Sequence, residues 1–127
     1  SHFDFGLVHI KAVDDAGHDR DIALKVHFIS EVDRVLRLMV DGFRELGRPM
    51  VIAVTGDHST PVEYGDHSCE PVPFVVCHID ASQRLEQSNV ETFDEISVAE
   101  GRLGRFLGGS LMELLKWAAR AKSFHSE

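Results

Sequence analysis

The sequence predicts an α/β unit, a mostly parallel sheet flanked by helices, and three observations carry that expectation. From residue 19 to 46, apolar residues recur at three- and four-residue steps, the period of a helix with one buried face. Short apolar runs of strand length, residues 3–10 (FDFGLVHI) and 49–55 (PMVIAVT), lie on either side of it. Strand, helix, strand in that order is the right-handed crossover that joins parallel neighbours.

The first run reads as a buried strand. Asp14-Asp15-Ala16-Gly17-His18 follows as a polar turn, with Gly17 supplying backbone freedom. In the helix, Ile22, Val26, Ile29, Val32, Leu36, Met39, Phe43 and Leu46 share a face. Asp19 is expected as its N-cap, with Asp21 near the positive end of the dipole. Gly47 and Pro49 stop it. The second strand, 49–55, is apolar and β-branched, which places it centrally in a parallel sheet. Residues 56–70 form a polar loop carrying Asp57, His58, Glu63, Asp66 and His67, and 71–79 (PVPFVVCHI) is a third strand. Signals from 80 to 109 are mixed. A final helix is expected over 110–122, with Ser110 as N-cap and Glu113 at the capping-box position.

Composition narrows the function classes. The 127 residues carry 13 Lys+Arg against 21 Asp+Glu, a net charge of −8. That balance argues against a nucleic-acid partner or an anionic membrane surface, both of which need clustered positive charge. Hydrophobic content of 43% and charged content of 27% fit a globular domain. No apolar run approaches the ~20 residues of a membrane span. Two cysteines, Cys69 and Cys77, make neither a disulfide framework nor a CxxC pair, so the cytoplasm is the expected location. The 8 histidines beside 21 acids raise a different question, because imidazole and carboxylate together ligate divalent metals.

Those residues cluster at strand ends. Asp14 and His18 follow the first strand, Asp57 and His58 follow the second, and His67 precedes the third. In open parallel sheets, sites form where loops converge beyond the carboxyl ends of the strands. Singly, each residue is an ordinary turn former or solvated loop residue. Jointly they make a mixed N/O set that suits Zn2+ or Mn2+ better than Ca2+. Five ligands exceed one structural zinc, so two neighbouring metals are expected. Lys11 is near enough to touch a phosphate. His9 reads as a core residue or an orienting partner, Asp15 and Asp66 as neighbours of ligands, and Thr60 and Glu63 as loop-shaping residues.

The segments LVHIKAVDDAGHD (7–19) and VTGDHSTPVEYGDHSCEPVPFVV (54–76), with EGRLGRFLGGSLMELL (100–115), resemble the C-terminal part of the archaeal-type cofactor-independent phosphoglycerate mutases. These are 2,3-bisphosphoglycerate-independent, alkaline-phosphatase-like metalloenzymes. The resemblance implies that Asp14, His18 and His67 bind one metal and that Asp57 and His58 bind a second. It implies Mn2+ or Zn2+, with Co2+ and Mg2+ as further options. It also implies interconversion of 2- and 3-phosphoglycerate in glycolysis and gluconeogenesis through a phosphoserine intermediate. The nucleophilic serine and a cap domain belong to an N-terminal part that these residues do not include, so residues 1–127 alone are expected to be inactive. The expected partners are a small phosphorylated substrate, that N-terminal complement and further copies of the chain. A metal-dependent phosphatase, phosphodiesterase or phosphonate hydrolase is the alternative within the same metal chemistry. A non-catalytic metal-binding assembly module is the alternative outside it.

Overall fold

A computed structural model describes residues 3–79 and 90–121. Ser1 and His2, residues 80–89 of the mixed segment, and the expected helix end at Lys122 lie outside the described residues.

The chain is mixed α/β, with elements α1 (Ala12–His18), α2 (Ile22–Glu45), β1 (Met50–Thr55), β2 (Phe74–Ile79) and α3 (Leu111–Arg120). The expected first strand is absent. Residues 5–11 belong to no strand, and Phe3, Leu7 and Val8 are exposed. An apolar run becomes a strand only when its N–H and C=O groups find a ladder partner, and among the described residues no ladder forms at 5–11.

The polar turn expected at 14–18 is a helix. Asp14 and Asp15 lie in the first turn of α1, the end of the dipole that favours acids, and His18 lies in its last. Arg20, with φ of 57°, breaks the helical path between α1 and α2. Asp19 is therefore the C-cap of α1, and the N-cap of α2 is Asp21, whose Oδ1 accepts from the Leu24 N–H at 2.9 Å. At the other end, Gly47 takes the left-handed conformation (φ 62°) just past α2.

β1 and β2 pair antiparallel, from Met50 opposite Ile79 to Thr55 opposite Phe74. The expected parallel crossover does not form among the described residues. The loop 56–73 folds back on itself instead, pinched by an antiparallel bridge between Ser59 and Ser68. The Thr55 hydroxyl donates to the Pro73 carbonyl at 3.0 Å, closing its base. This hairpin-like return reverses the chain without a helix on a sheet face.

Packing is thin. α3 packs on both strands, α1 lies on α2, and among the described residues the buried apolar ones are Ala16, Ile79 and Ala118. Phe74 and Phe106 meet edge to face with centroids 5.1 Å apart. None of the residues of α2 is buried, and its row of Ile22, Val26 and Ile29 is exposed. Ser110 is the N-cap of α3 but makes no side-chain capping bond. A 3-10 turn over Gly108–Ser110 runs straight into the helix, and Ser110 takes the helical conformation instead of the extended one a cap needs.

Candidate metal centre

Asp14 and His18 are four residues apart on α1, so they stand on one face of the helix, with His18 Nε2 3.3 Å from Asp14 Oδ1. The loop between β1 and β2 brings His67 to them. Its Nε2 lies 3.2 Å from His18 Nε2 and 3.7 Å from Asp14 Oδ1. The bridge from Ser59 to Ser68 also places the two arms of that loop side by side, so the ring of His58 lies 3.7 Å from that of His67. Asp14, His58 and His67 each offer a ligand atom within 4.8 Å of the others. Asp57 joins through His58, with Oδ2 3.6 Å from His58 Nε2 and Oδ1 accepting from the His58 N–H at 3.1 Å. Asp14, His18, His58 and His67 thus gather in one place, with Asp57 beside His58 at its exposed edge. His58 bridges the two expected groups more closely than chain position implied.

Hydrogen bonds around the cluster set which atoms carry protons. His18 Nδ1 is 3.2 Å from the Gly65 carbonyl. A carbonyl can only accept, so Nδ1 carries a hydrogen, and whenever the ring is neutral its Nε2 presents a lone pair toward Asp14 and His67. The Thr60 hydroxyl donates to Asp14 Oδ1 at 2.7 Å. That bond is the main reason the Asp14 carboxyl is held below the usual carboxylate range, with positive charge at His18, His58 and Lys11 adding and partial burial opposing. Asp66 Oδ1 accepts from the His67 N–H at 2.7 Å, which steadies the turn that presents His67.

The chemistry of this donor set fits a divalent cation. An anionic carboxylate oxygen and two imidazole nitrogens face one another at 3.2, 3.3 and 3.7 Å. Ligand atoms about 2.1 Å from a shared tetrahedral centre are about 3.4 Å apart. A shared cation can hold three such atoms together, as can a proton on one imidazole, which the 3.2 Å contact between His18 Nε2 and His67 Nε2 accommodates.

Lys11 occupies the N-cap position of α1. Its ammonium bonds Asp15 Oδ1 at 2.5 Å and lies 3.6 Å from Asp14 Oδ2, and these carboxylates, Asp15 first, push its pKa up. Three further residues matter that the sequence did not single out for this. Thr60, read as loop-shaping, is 6% exposed and is the buried polar residue of the cluster. Lys25 of α2 donates to the Thr60 carbonyl at 2.5 Å. Gly17 lies flush against Thr60, where a Cβ would meet that carbonyl at 2.6 Å, so its role is close approach and not turn freedom. No sequence motif marks Lys25 or Gly17 for these contacts.

Among the described residues, no helix is long and apolar enough to cross a membrane. Curated relatives named 2,3-bisphosphoglycerate-independent phosphoglycerate mutase bear out the resemblance drawn from the motifs. That of Methanopyrus kandleri is 43% identical over 114 residues, 89% of this chain and 26% of the relative. That of Thermoplasma volcanium is 39% identical over 124 residues, 98% of this chain and 29% of the relative. A solved structure of a Pyrococcus horikoshii protein aligns with a TM-score of 0.71 at 31% identity, over 93% of this chain and 34% of that one. The chain spans about a quarter of the length of the curated relatives it matches. Residues 1–116 match the family model described as Metalloenzyme superfamily, and the chain belongs to that superfamily.

Proposed function

We propose that this chain forms the metal-binding part of a 2,3-bisphosphoglycerate-independent phosphoglycerate mutase, which moves a phosphoryl group between the 2- and 3-hydroxyls of glycerate. The observation that carries the reading is the triangle of Asp14 Oδ1, His18 Nε2 and His67 Nε2. The names of the relatives support the substrate.

In this reading Asp14, His18 and His67 hold one divalent ion, and Asp57 and His58 hold a second, as Mn2+ or Zn2+. Such ions neutralise phosphate oxygens and lower the pKa of an attacking hydroxyl. The chain's own residues do the positioning. Gly65 fixes the ring of His18 with Nε2 toward Asp14 and His67, and Thr60 keeps Asp14 ionised and aimed at the histidines. Lys11, tethered by Asp15 and Asp14, adds positive charge at the rim where a phosphate would approach. The serine that carries the phosphoryl group between the two hydroxyls comes, on this proposal, from a part of the whole protein beyond these residues. The exposed rows of α2 and of residues 3–10 suit packing against that part or against a second copy.

The test is Mn2+ and Zn2+ titration calorimetry on the chain, comparing wild type with Asp14→Ala and Asp57→Ala. Close to one tight ion, lost in Asp14→Ala and kept in Asp57→Ala, is the expected result. Absence of binding in every variant would overturn the metal reading. In the whole protein, turnover of an aryl phosphate without conversion of 3-phosphoglycerate would replace the mutase with a hydrolase.

A further inference from the structure

Thr60 has one hydroxyl hydrogen and two neighbours that want it. Oγ1 lies 2.7 Å from Asp14 Oδ1 and 3.2 Å from His58 Nδ1. An ionised carboxylate only accepts, so the hydrogen goes to Asp14. The lone pair of the hydroxyl then faces His58, and Nδ1 of His58 must bring the other hydrogen. We infer that Thr60 is a positioning residue whose hydroxyl links the two ligand groups, donating to Asp14 and accepting from His58 Nδ1–H, so that His58 presents Nε2 as its free lone pair.

The direction of this chain of bonds has a chemical consequence. His58 Nε2 is the atom beside Asp57 Oδ2, at 3.6 Å. If the hydrogen sat on Nε2, that nitrogen could donate to Asp57 but could not ligate a cation. Holding the hydrogen at Nδ1 therefore favours His58 Nε2 as a ligand atom beside Asp57. His18 is set the same way, by the Gly65 carbonyl at its Nδ1, so both histidines turn Nε2 inward. One is oriented by backbone, the other by a side chain that a substitution can remove.

Thr60 is built to hold its place. It is 6% exposed, its carbonyl accepts from Lys25 Nζ, and Gly17 leaves no room behind it. The Thr60 Cγ2 would lie 3.0 Å from a Cβ at Gly17, so the methyl is seated against α1 while Oγ1 faces the cluster. Valine would fill the same space without the hydroxyl, and serine would supply the hydroxyl without the methyl. The two functions of the side chain can be separated.

The inference deepens the metal reading and rests on it for its purpose, but its first readout needs no metal. In the metal-free 15N-labelled chain, at about pH 8.5 where ordinary histidines are neutral, long-range proton–nitrogen correlation spectra report which imidazole nitrogen carries the hydrogen. Wild type is expected to show His58 protonated at Nδ1, Thr60→Ser to match it, and Thr60→Val to move hydrogen to Nε2. Backbone amide spectra check that the variants stay folded, and the wild-type tautomer tests the inference even where valine unfolds the chain. In the second arm, Thr60→Val weakens binding of the ion held by Asp14 about 10- to 100-fold, the usual cost of losing an orienting partner, and Thr60→Ser restores it. Wild-type His58 carrying its hydrogen on Nε2, or a folded Thr60→Val chain with unchanged tautomer, would overturn the inference. If the tautomers behave as expected and no ion binds any variant, the link through Thr60 stands and the metal reading falls.

Discussion

Gly17→Ala separates the close-packing account of the cluster from a purely helical one. A Cβ at this position would sit 2.6 Å from the Thr60 carbonyl oxygen, 0.8 Å inside the 3.4 Å edge of ordinary contact. The obstacle is backbone, so α1 and the loop after β1 must part by that amount. Moving 0.8 Å stretches the 2.7 Å bond from Thr60 to Asp14 to about 3.5 Å, where a hydrogen bond has largely gone. The Lys25 ammonium, 3.2 Å from the new methyl, is displaced from the same carbonyl. Overpacking of this kind costs about 1–3 kcal/mol. Alanine gains about 1 kcal/mol over glycine inside a helix. The net expectation is a loss of about 1 kcal/mol, or a melting temperature lower by about 4 °C for a domain of this size. Ion affinity should fall about 10- to 100-fold as Asp14 loses its orienting hydroxyl. Differential scanning calorimetry and metal titration read the two effects separately. A variant with a raised melting temperature and unchanged affinity would refute the reasoning, because helix propensity alone would then account for it.

Two further outcomes concern the scaffold. Ile79, 1% exposed at the end of β2, is the largest fully buried side chain, and Ile79→Ala should cost about 2–5 kcal/mol in urea unfolding; a loss under about 1 kcal/mol would place the core elsewhere. Asp94 accepts from the Ser97 N–H, with Ser97 and Thr92 hydroxyls assisting, and its pKa falls from 3.8 to about 2. A pKa lowered by folding means stability that is present above about pH 4 and lost as pH falls through about 2. The stability gap between wild type and Asp94→Ala should therefore narrow across that window, and a gap of equal size at both ends would count against the bond.

Local pattern carried some of this fold and failed at definite places. The period of α2 held because Ile22, Val26, Ile29 and Leu36 repeat within one element, and Gly47 ended it in the conformation glycine favours. Asp19, the expected N-cap, and Asp21, the observed one, are both capping residues two positions apart. The choice fell to Asp21 because α1 runs to His18 and uses Asp19 as its own end. Asp14-Asp15-Ala16-Gly17-His18 looked like a turn because glycine and two aspartates are turn residues. In place, the glycine is a contact point and the aspartates suit a helix start.

By itself the sequence singled out Asp14, His18, Asp57, His58 and His67 as candidate ligands from type and spacing, because ligand chemistry belongs to the residue. The motifs likewise pointed to the family that the comparison then showed. Only the tertiary structure decided the antiparallel pairing of β1 with β2, the absence of a strand over 5–11 among the described residues, and the place of Thr60 between Asp14 and His58. Each of these depends on groups distant along the chain, 46 residues in the bond from Thr60 to Asp14. A strand direction or a shared proton exists only once two segments meet, and no local preference encodes that meeting.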